Sequence, residues 1–267
     1  MNFRAPAREL VTFGNAFYRY GRVLRALLWR EFVKRRESPG ETFFLVMEPV
    51  ALIVGIGFVY WLLERNISPV GGSPVLFFAT GLYIKFYFIH TSQRMRATTR
   101  VSRLPVELWM DHVIVFVIIR LVDYLILGVI AVAILASFVD ANAIPSNLSA
   151  VIEAMVYMTM LAFGWGIVGL LMTQVFGAVA WHIFALINRI LLWVTGAMFV
   201  IDFLPPATRY GLSFIPTTHA VILFRQGFYP SYPSLTLDMP YLVWCSIASV
   251  VIGIVLERAL RRYIEPR

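Results

Sequence analysis

The chain has little charge, one cysteine and almost no lysine. Only 14% of its 267 residues are charged, against roughly 25% in an ordinary soluble domain. The single Cys245 excludes an internal disulfide and a thiolate metal cage. The two lysines, Lys34 and Lys85, both lie outside any Gly-x-x-x-x-Gly-Lys-Ser/Thr segment. The chain therefore has no P-loop with which to hydrolyse ATP. No His-Glu-x-x-His occurs, and His90, His112, His182 and His219 sit on separate segments without metal-ligand spacing. Gly211-Leu212-Ser213-Phe214-Ile215 lacks the second glycine of a nucleophile elbow. A Ser213–His219 pair is then the one conceivable nucleophilic arrangement, in a Pro-rich stretch where a lone Ser and His ordinarily do structural work.

Apolar side chains fill the space that charge leaves. They make up 60% of the chain, more than a soluble core of this length needs, so the excess calls for the bilayer as solvent. A span requires roughly 20 mostly apolar residues. Six stretches qualify as candidates: Phe43–Leu63, Pro74–Thr91, Val113–Val139, Val151–Gln174, Val179–Ile201 and Tyr241–Leu256. The gap near Val175–Ala178 is so short that the fourth and fifth spans must form a tight helical hairpin. The fold class expected is all-α: one polytopic membrane domain over residues 1–267.

Basic residues orient it. Of 23 Lys and Arg, 17 fall in the N-terminal stretch, in the loop after the second span and at the C-terminus. With six spans these segments share one side, which the positive-inside rule makes cytoplasmic. Arg65, Arg209 and Arg225 are left for the other side. This distribution accounts for the net charge of +8 without a nucleic-acid partner. The first 36 residues are arginine-rich without an apolar run and do not read as a secretory signal. Within them Phe13–Phe32 is amphipathic and basic, and the segment 13–36 reads as an interfacial helix leading into the first span. Six prolines break the stretch Asp202–Pro240. Its apolar run Ala220–Phe224 is too short to span and predicts one or two short helices dipping in from the outer side.

Ionisable residues inside apolar runs are costly and need partners. They are Glu48, Lys85, Arg120, Asp123 and Arg189. Arg120 and Asp123 are i,i+3 and can neutralise each other. Lys85 has no acid on its own helix turn, so it either meets one on another helix, Glu48 being a candidate, or faces a wet conduit. Aromatics crowd the second span. Phe77, Tyr83, Phe86 and Tyr87, with Lys85, are candidates for a translocation path, since rings can stack on sugars or bind lipid tails. The plain alternative is helix packing and interface anchoring.

Four motifs in order carry a resemblance. They are Trp29-Arg30-Glu31-Phe32, Leu45-Val46-Met47-Glu48-Pro49, Thr80-Gly81-Leu82, and Ile215-Pro216-Thr217-Thr218-His219-Ala220 followed by Phe224-Arg225-Gln226 and Tyr229-Pro230. From about Leu24 to Tyr263 the chain resembles the membrane permease of type-2 ABC exporters of capsular polysaccharide and O-antigen. It departs at Glu37-Ser38-Pro39-Gly40-Glu41 and, more loosely, at Arg103-Leu104-Pro105-Val106-Glu107. The resemblance implies a permease in the bacterial inner membrane with both termini cytoplasmic. Two copies would pair with two copies of an ABC ATPase that holds the ATP and magnesium, so this chain needs no cofactor or metal of its own. Periplasmic export partners and a lipid-linked polysaccharide substrate are implied as well. Coupling to the ATPase is expected at Arg30, Glu31, Arg100, Arg103, Pro105 and Glu107. Glu48, Pro49, Pro216, His219 and Arg225 would be structural motif residues. The other readings are a permease of the same fold for a smaller lipid, drug or teichoic acid, and a membrane-embedded glycan-modifying enzyme. Even span number and charge bias together predict that reagents impermeant to the membrane label both chain ends from the cytoplasmic side only; labelling of one end from outside contradicts the topology.

Overall fold

In this computed structural model the residues described are 70, 71, 73–98, 109–138 and 143–264, with scattered positions between 21 and 55. Among them every regular element is helical. The long helices are α1 (Pro74–Thr98), α2 (Trp109–Phe138), α3 (Leu148–Phe176), α4 (Ala178–Val194) and, last in the chain, α7 (Met239–Ile264). Two short helices precede α7, α5 (Pro206–Ser213) and α6 (Pro216–Gln226). The interfacial segment and the first expected span lie outside the described residues except at isolated helical positions such as Arg30, Met47 and Val54.

Three helices, over Met110–Ser137, Leu148–Phe176 and Met239–Ala259, are long and apolar enough to cross a membrane. Their outer faces support that reading. Val129 on α2 is 72% exposed and Trp244 on α7 is 71% exposed, surface that water would disfavour and lipid accepts. Helix α1 is of another kind. It covers the expected second span and runs seven residues past Thr91, but it carries Lys85, His90 and two tyrosines inside the bundle, where Phe77, Leu82, Ile84 and Tyr87 are fully buried. Protein, not lipid, satisfies its polarity.

A tight helical hairpin is present where the short gap near Val175–Ala178 predicts one. Gly177 alone separates α3 from α4, with φ at +73°, which suits glycine. Trp165 Nε1 donates to Asn188 Oδ1 at 2.9 Å across the pair. The fifth span, expected to reach Ile201, ends instead at Val194. The chain then leaves the helix through Thr195 and Gly196, the latter at φ +78°, and Arg225 engages the carbonyls that follow. At 17 residues α4 is about 25 Å long, short of the roughly 30 Å hydrocarbon core.

Prolines open both short helices: Pro206 and Pro216 occupy first-turn positions, where a missing N–H costs nothing. Helix α6 runs antiparallel to α1. Its C-terminal end meets the start of α3, where Asn147 N donates to the Gly227 carbonyl at 3.0 Å. Its N-terminal end lies opposite Lys85, well along α1. The stretch between Pro205 and Pro240 thus doubles back through α6, which runs against the direction of α1.

Small residues set the tightest crossing, between α3 and α7. A Cβ on Gly164 would stand 2.1 Å from the Ser249 carbonyl oxygen, and one on Gly253 would stand 3.1 Å from the Gly164 Cα. Ser249 Oγ completes the contact by donating to the Leu161 carbonyl at 3.3 Å. Gly164→Ala is expected to cost about 1–3 kcal/mol by overpacking, seen as a lower thermal midpoint in detergent. Gly211→Ala, with open space around its Cβ, is the control and should leave the midpoint unchanged or slightly raised.

Candidate functional site at the buried Arg225

Arg225 stands at the C-terminal end of α6 and is fully buried. Its Nη1 donates to the Gly196 carbonyl at 2.7 Å, the Phe199 carbonyl at 3.2 Å and the Tyr232 hydroxyl at 3.2 Å. Its Nη2 donates to the Ala197 carbonyl at 2.7 Å and the Phe77 carbonyl at 3.1 Å. The guanidinium also lies 3.8 Å from the Phe77 ring centroid, a cation–π contact. No carboxylate takes part among these contacts. Backbone carbonyls past a broken helix end satisfy both terminal nitrogens of the cation, and the cation satisfies them, while Nε has no partner among the described residues. A planar fork of donors suits this task, and a lysine could not cover so many acceptors at once.

Close approach makes the arrangement possible. A Cβ on Gly81 would come 2.3 Å from the Ala197 carbonyl oxygen and 2.4 Å from Arg225 Nη2. The Thr80-Gly81-Leu82 motif and the Phe224-Arg225-Gln226 motif, distant in sequence, therefore meet here. Thr80 Oγ1 donates to the Phe77 carbonyl at 3.0 Å, which also receives Arg225. The junction joins α1, the segment after α4, α6 and the loop before α7.

His219 forms a second junction from the same motif. Its Nε2 donates to the Ser213 carbonyl at 2.7 Å, and its Nδ1 accepts the Asp238 N–H at 3.1 Å. These two bonds fix the tautomer and tie the α5–α6 corner to the start of α7. Tyr241 adds a bond from its hydroxyl to the Phe214 carbonyl at 2.7 Å. The Ser213 hydroxyl instead donates to the Tyr210 carbonyl at 2.7 Å. His219 therefore holds the serine's backbone and does not face its hydroxyl, so the pair lacks the base–nucleophile contact that acyl transfer requires.

The aromatic group expected along a path fills the interior of the chain. Phe77, Phe86 and Tyr87 are buried, and Tyr83 is nearly so. Tyr83 stacks on Phe224 at 5.7 Å and bonds through its hydroxyl to the Tyr124 carbonyl. Tyr87 shares a hydrogen bond with Thr159 at 2.6 Å, and His90 with the Tyr124 hydroxyl at 2.6 Å. The packing account of these rings is thus the one realised within a single chain. Tyr124 and Thr159 had no motif to mark them; their signal was a polar atom inside an apolar run.

The remaining candidates divide. Arg120 and Asp123 pair as expected, at 3.8 Å on adjacent turns of α2. Arg189 is exposed on α4. Lys85 donates to Thr217 Oγ1 at 3.2 Å. Arg30 Nη2 lies 3.3 Å from His112 Nδ1 at the start of α2. Pro216 opens α6. Glu31, Glu48, Pro49, Arg100, Arg103, Pro105 and Glu107 lie outside the described residues. No group of His, Cys, Asp and Glu able to hold a metal ion occurs among the described residues.

Helices long and apolar enough to cross a bilayer, with apolar side chains turned outward, place the chain among helical membrane proteins. Its relatives narrow the class. It is 25% identical over 269 residues to the capsule polysaccharide export inner-membrane protein BexB of Haemophilus influenzae, covering 97% of this chain and 98% of that protein. It is 23% identical over 254 residues to the capsule polysaccharide export inner-membrane protein CtrC of Neisseria meningitidis serogroup B, covering 92% of this chain and 94% of that one. No protein-family model matches the chain. The chain is thus a homologue, along nearly its whole length, of capsule polysaccharide export inner-membrane proteins.

Arg225→Met is expected to strand the carbonyls of Gly196, Ala197 and Phe199 and to destabilise the fold by about 3–5 kcal/mol. Arg225→Lys should recover only part of this, and Gly81→Val should mimic the loss by expelling the guanidinium. Thermal midpoints of the three variants check the order.

Proposed function

We propose that this chain is the membrane-spanning permease subunit of an ABC exporter of capsular or related cell-surface polysaccharide, driven by a separate ATPase. The observation that carries the reading is similarity to capsule export inner-membrane proteins over 97% of the chain. In this reading the chain is a single permease domain with six spans, the segment Phe43–Leu63, α1 to α4, and α7. Both termini are cytoplasmic. Helices α5 and α6 re-enter the membrane from the outer side, which fits the antiparallel course of α6 along α1.

Two copies of the chain face each other, and the lipid-linked glycan leaves between them. The rings of Phe77, Tyr83, Phe86 and Tyr87 support the wall of that path from behind, since they are covered within one copy. With no P-loop in the sequence, the energy arrives through a docking surface at the inner face. The loop between α1 and α2 and the helix before the first span are assigned to that surface. The contact between Arg30 and His112 supports the assignment, because it joins the pre-span helix to the first turn of the helix that follows the loop. A force on either element is then felt by α2. Such coupling needs an element with two arrangements that both sites bias.

Co-purification tests the reading. An ATPase subunit expressed with the chain should be retained on it and should be lost when Thr98–Asp111 is replaced by a Gly/Ser linker of equal length. Full retention and full export with the linker contradict the assigned dock. Substrate turnover by the isolated chain without ATPase contradicts the permease reading.

A further inference from the structure

Two buried cations touch α6, and the helix treats them differently. A helix carries partial positive charge at its N-terminus and partial negative charge at its C-terminus. Arg225 sits at the C-terminal end, where a cation is favoured, and is fully buried among carbonyls. Lys85 sits at the opposite end. Its Nζ donates to Thr217 Oγ1, in the first turn of α6, at 3.2 Å, and the residue is 0% exposed. The ring of Phe88 lies 4.9 Å from the ammonium. No carboxylate lies within ion-pair distance of it among the described residues, and two of its three N–H groups have no partner among them. One residue on in the same turn, Thr218 Oγ1 is buried and has no hydrogen-bond partner among the described residues.

An ammonium held against the positive end of a helix, without a counter-charge, is unfavourable in a dry interior. The same elements are complementary to an oxyanion. The dipole at a helix N-terminus favours phosphate, and a lysine supplies the neutralising charge; Pro216 has no N–H and Thr218 N already donates to the Ile215 carbonyl at 3.0 Å, so side chains are the donors here. The hydroxyls of Thr217 and Thr218 can donate to the anion's oxygens.

We propose that Lys85 and the first turn of α6 form an oxyanion site for a phosphate group, to which α6 gives access when it moves away from α1. Within the permease reading, on which this assignment of cargo rests, the group is the phosphate of the molecule that passes. The source is either a lipid-borne phosphate entering from the bilayer or free phosphate entering from water.

The test uses the purified full chain in dodecyl maltoside, with dodecyl phosphate and inorganic phosphate as probes and the thermal midpoint as readout. A hundredfold excess over Kd should raise the wild-type midpoint by on the order of 5 °C. Lys85→Met should abolish the shift, while the variant itself stays folded, since a buried charge exchanged for an apolar side chain is commonly neutral or stabilising. Thr218→Val should weaken binding roughly tenfold, and it carries the comparison alone if Lys85→Met fails to fold. A shift with dodecyl phosphate alone supports a lipid source, and an equal shift with inorganic phosphate supports the site with a water-borne source. An undiminished shift in Lys85→Met, or no wild-type shift with either probe, overturns the site. So does recovery of a lowered midpoint by the charge exchange Lys85→Glu with Glu48→Lys, which would make Glu48 the counter-ion. Because binding is read and not export, a chain that keeps its ATPase yet ignores phosphate sinks this site and leaves the permease reading intact. A chain that binds phosphate through Lys85 yet takes no ATPase does the reverse.

Discussion

A guanidinium buried with no counter-ion among the described residues needs acceptors, and in this protein the carbonyls past a helix that stops early supply them. Arg225 takes the Gly196, Phe199 and Ala197 carbonyls that follow the end of α4, and the Phe77 carbonyl of α1. Each side removes the other's cost. Carbonyls released by the break would be orphans in a dry interior, and the cation would be stranded among rings. The helix break, the glycine at position 81 and the position of α6 follow from this one set of bonds. It also explains why the N-terminal end of α1 and the C-terminal end of α6 are held together although α6 is only 11 residues long, too short to be stable by itself.

Polarity inside the bundle is handled by the same rule elsewhere. His219 spends both ring nitrogens on backbone groups. Tyr83, Tyr87, His90, Tyr124 and Thr159 bond to one another or to nearby carbonyls. Apolar side chains are turned outward on α2, α4 and α7, as Val129, Ile183 and Val255 illustrate. Such an inside-polar, outside-apolar pattern suits a protein whose solvent is lipid. In the proposed permease it also yields a rigid body around α1 and α3 against which a shorter element such as α6 can shift.

The long apolar helices were legible because they announce themselves by length and composition. Helices α2, α3 and α7 follow the expected spans, α2 starting four residues early and ending one short, α3 reaching a few residues further at both ends and α7 running eight residues past Leu256. The hairpin at Gly177 was legible from the shortness of its gap, and the short helices from their prolines. The end of the fifth span was not. The run from Val179 to Ile201 is mostly apolar and its polar residues His182, Asn188 and Arg189 do not mark an end, whereas Arg225, remote in sequence, takes up the carbonyls beyond the stop at Val194. Likewise Gly81 reads as an ordinary glycine in an apolar helix until Ala197 is placed against it. The Arg120–Asp123 pair was local and therefore readable. The Lys85–Thr217 contact depends on the return course of α6 and could not be read from spacing.

The central claim is that α6 doubles back, its N-terminal end lying deeper than its C-terminal end and anchored there by Arg225. Nitroxide labels at two exposed positions that flank the helix, Phe214 and Pro230, give their depths in a reconstituted bilayer from the ratio of oxygen to polar-reagent accessibility. The account predicts that the label at 214 lies deeper than the label at 230 by on the order of 10 Å, from the rise along the helix. Equal depths, or a label at 214 fully open to the polar reagent, would contradict it.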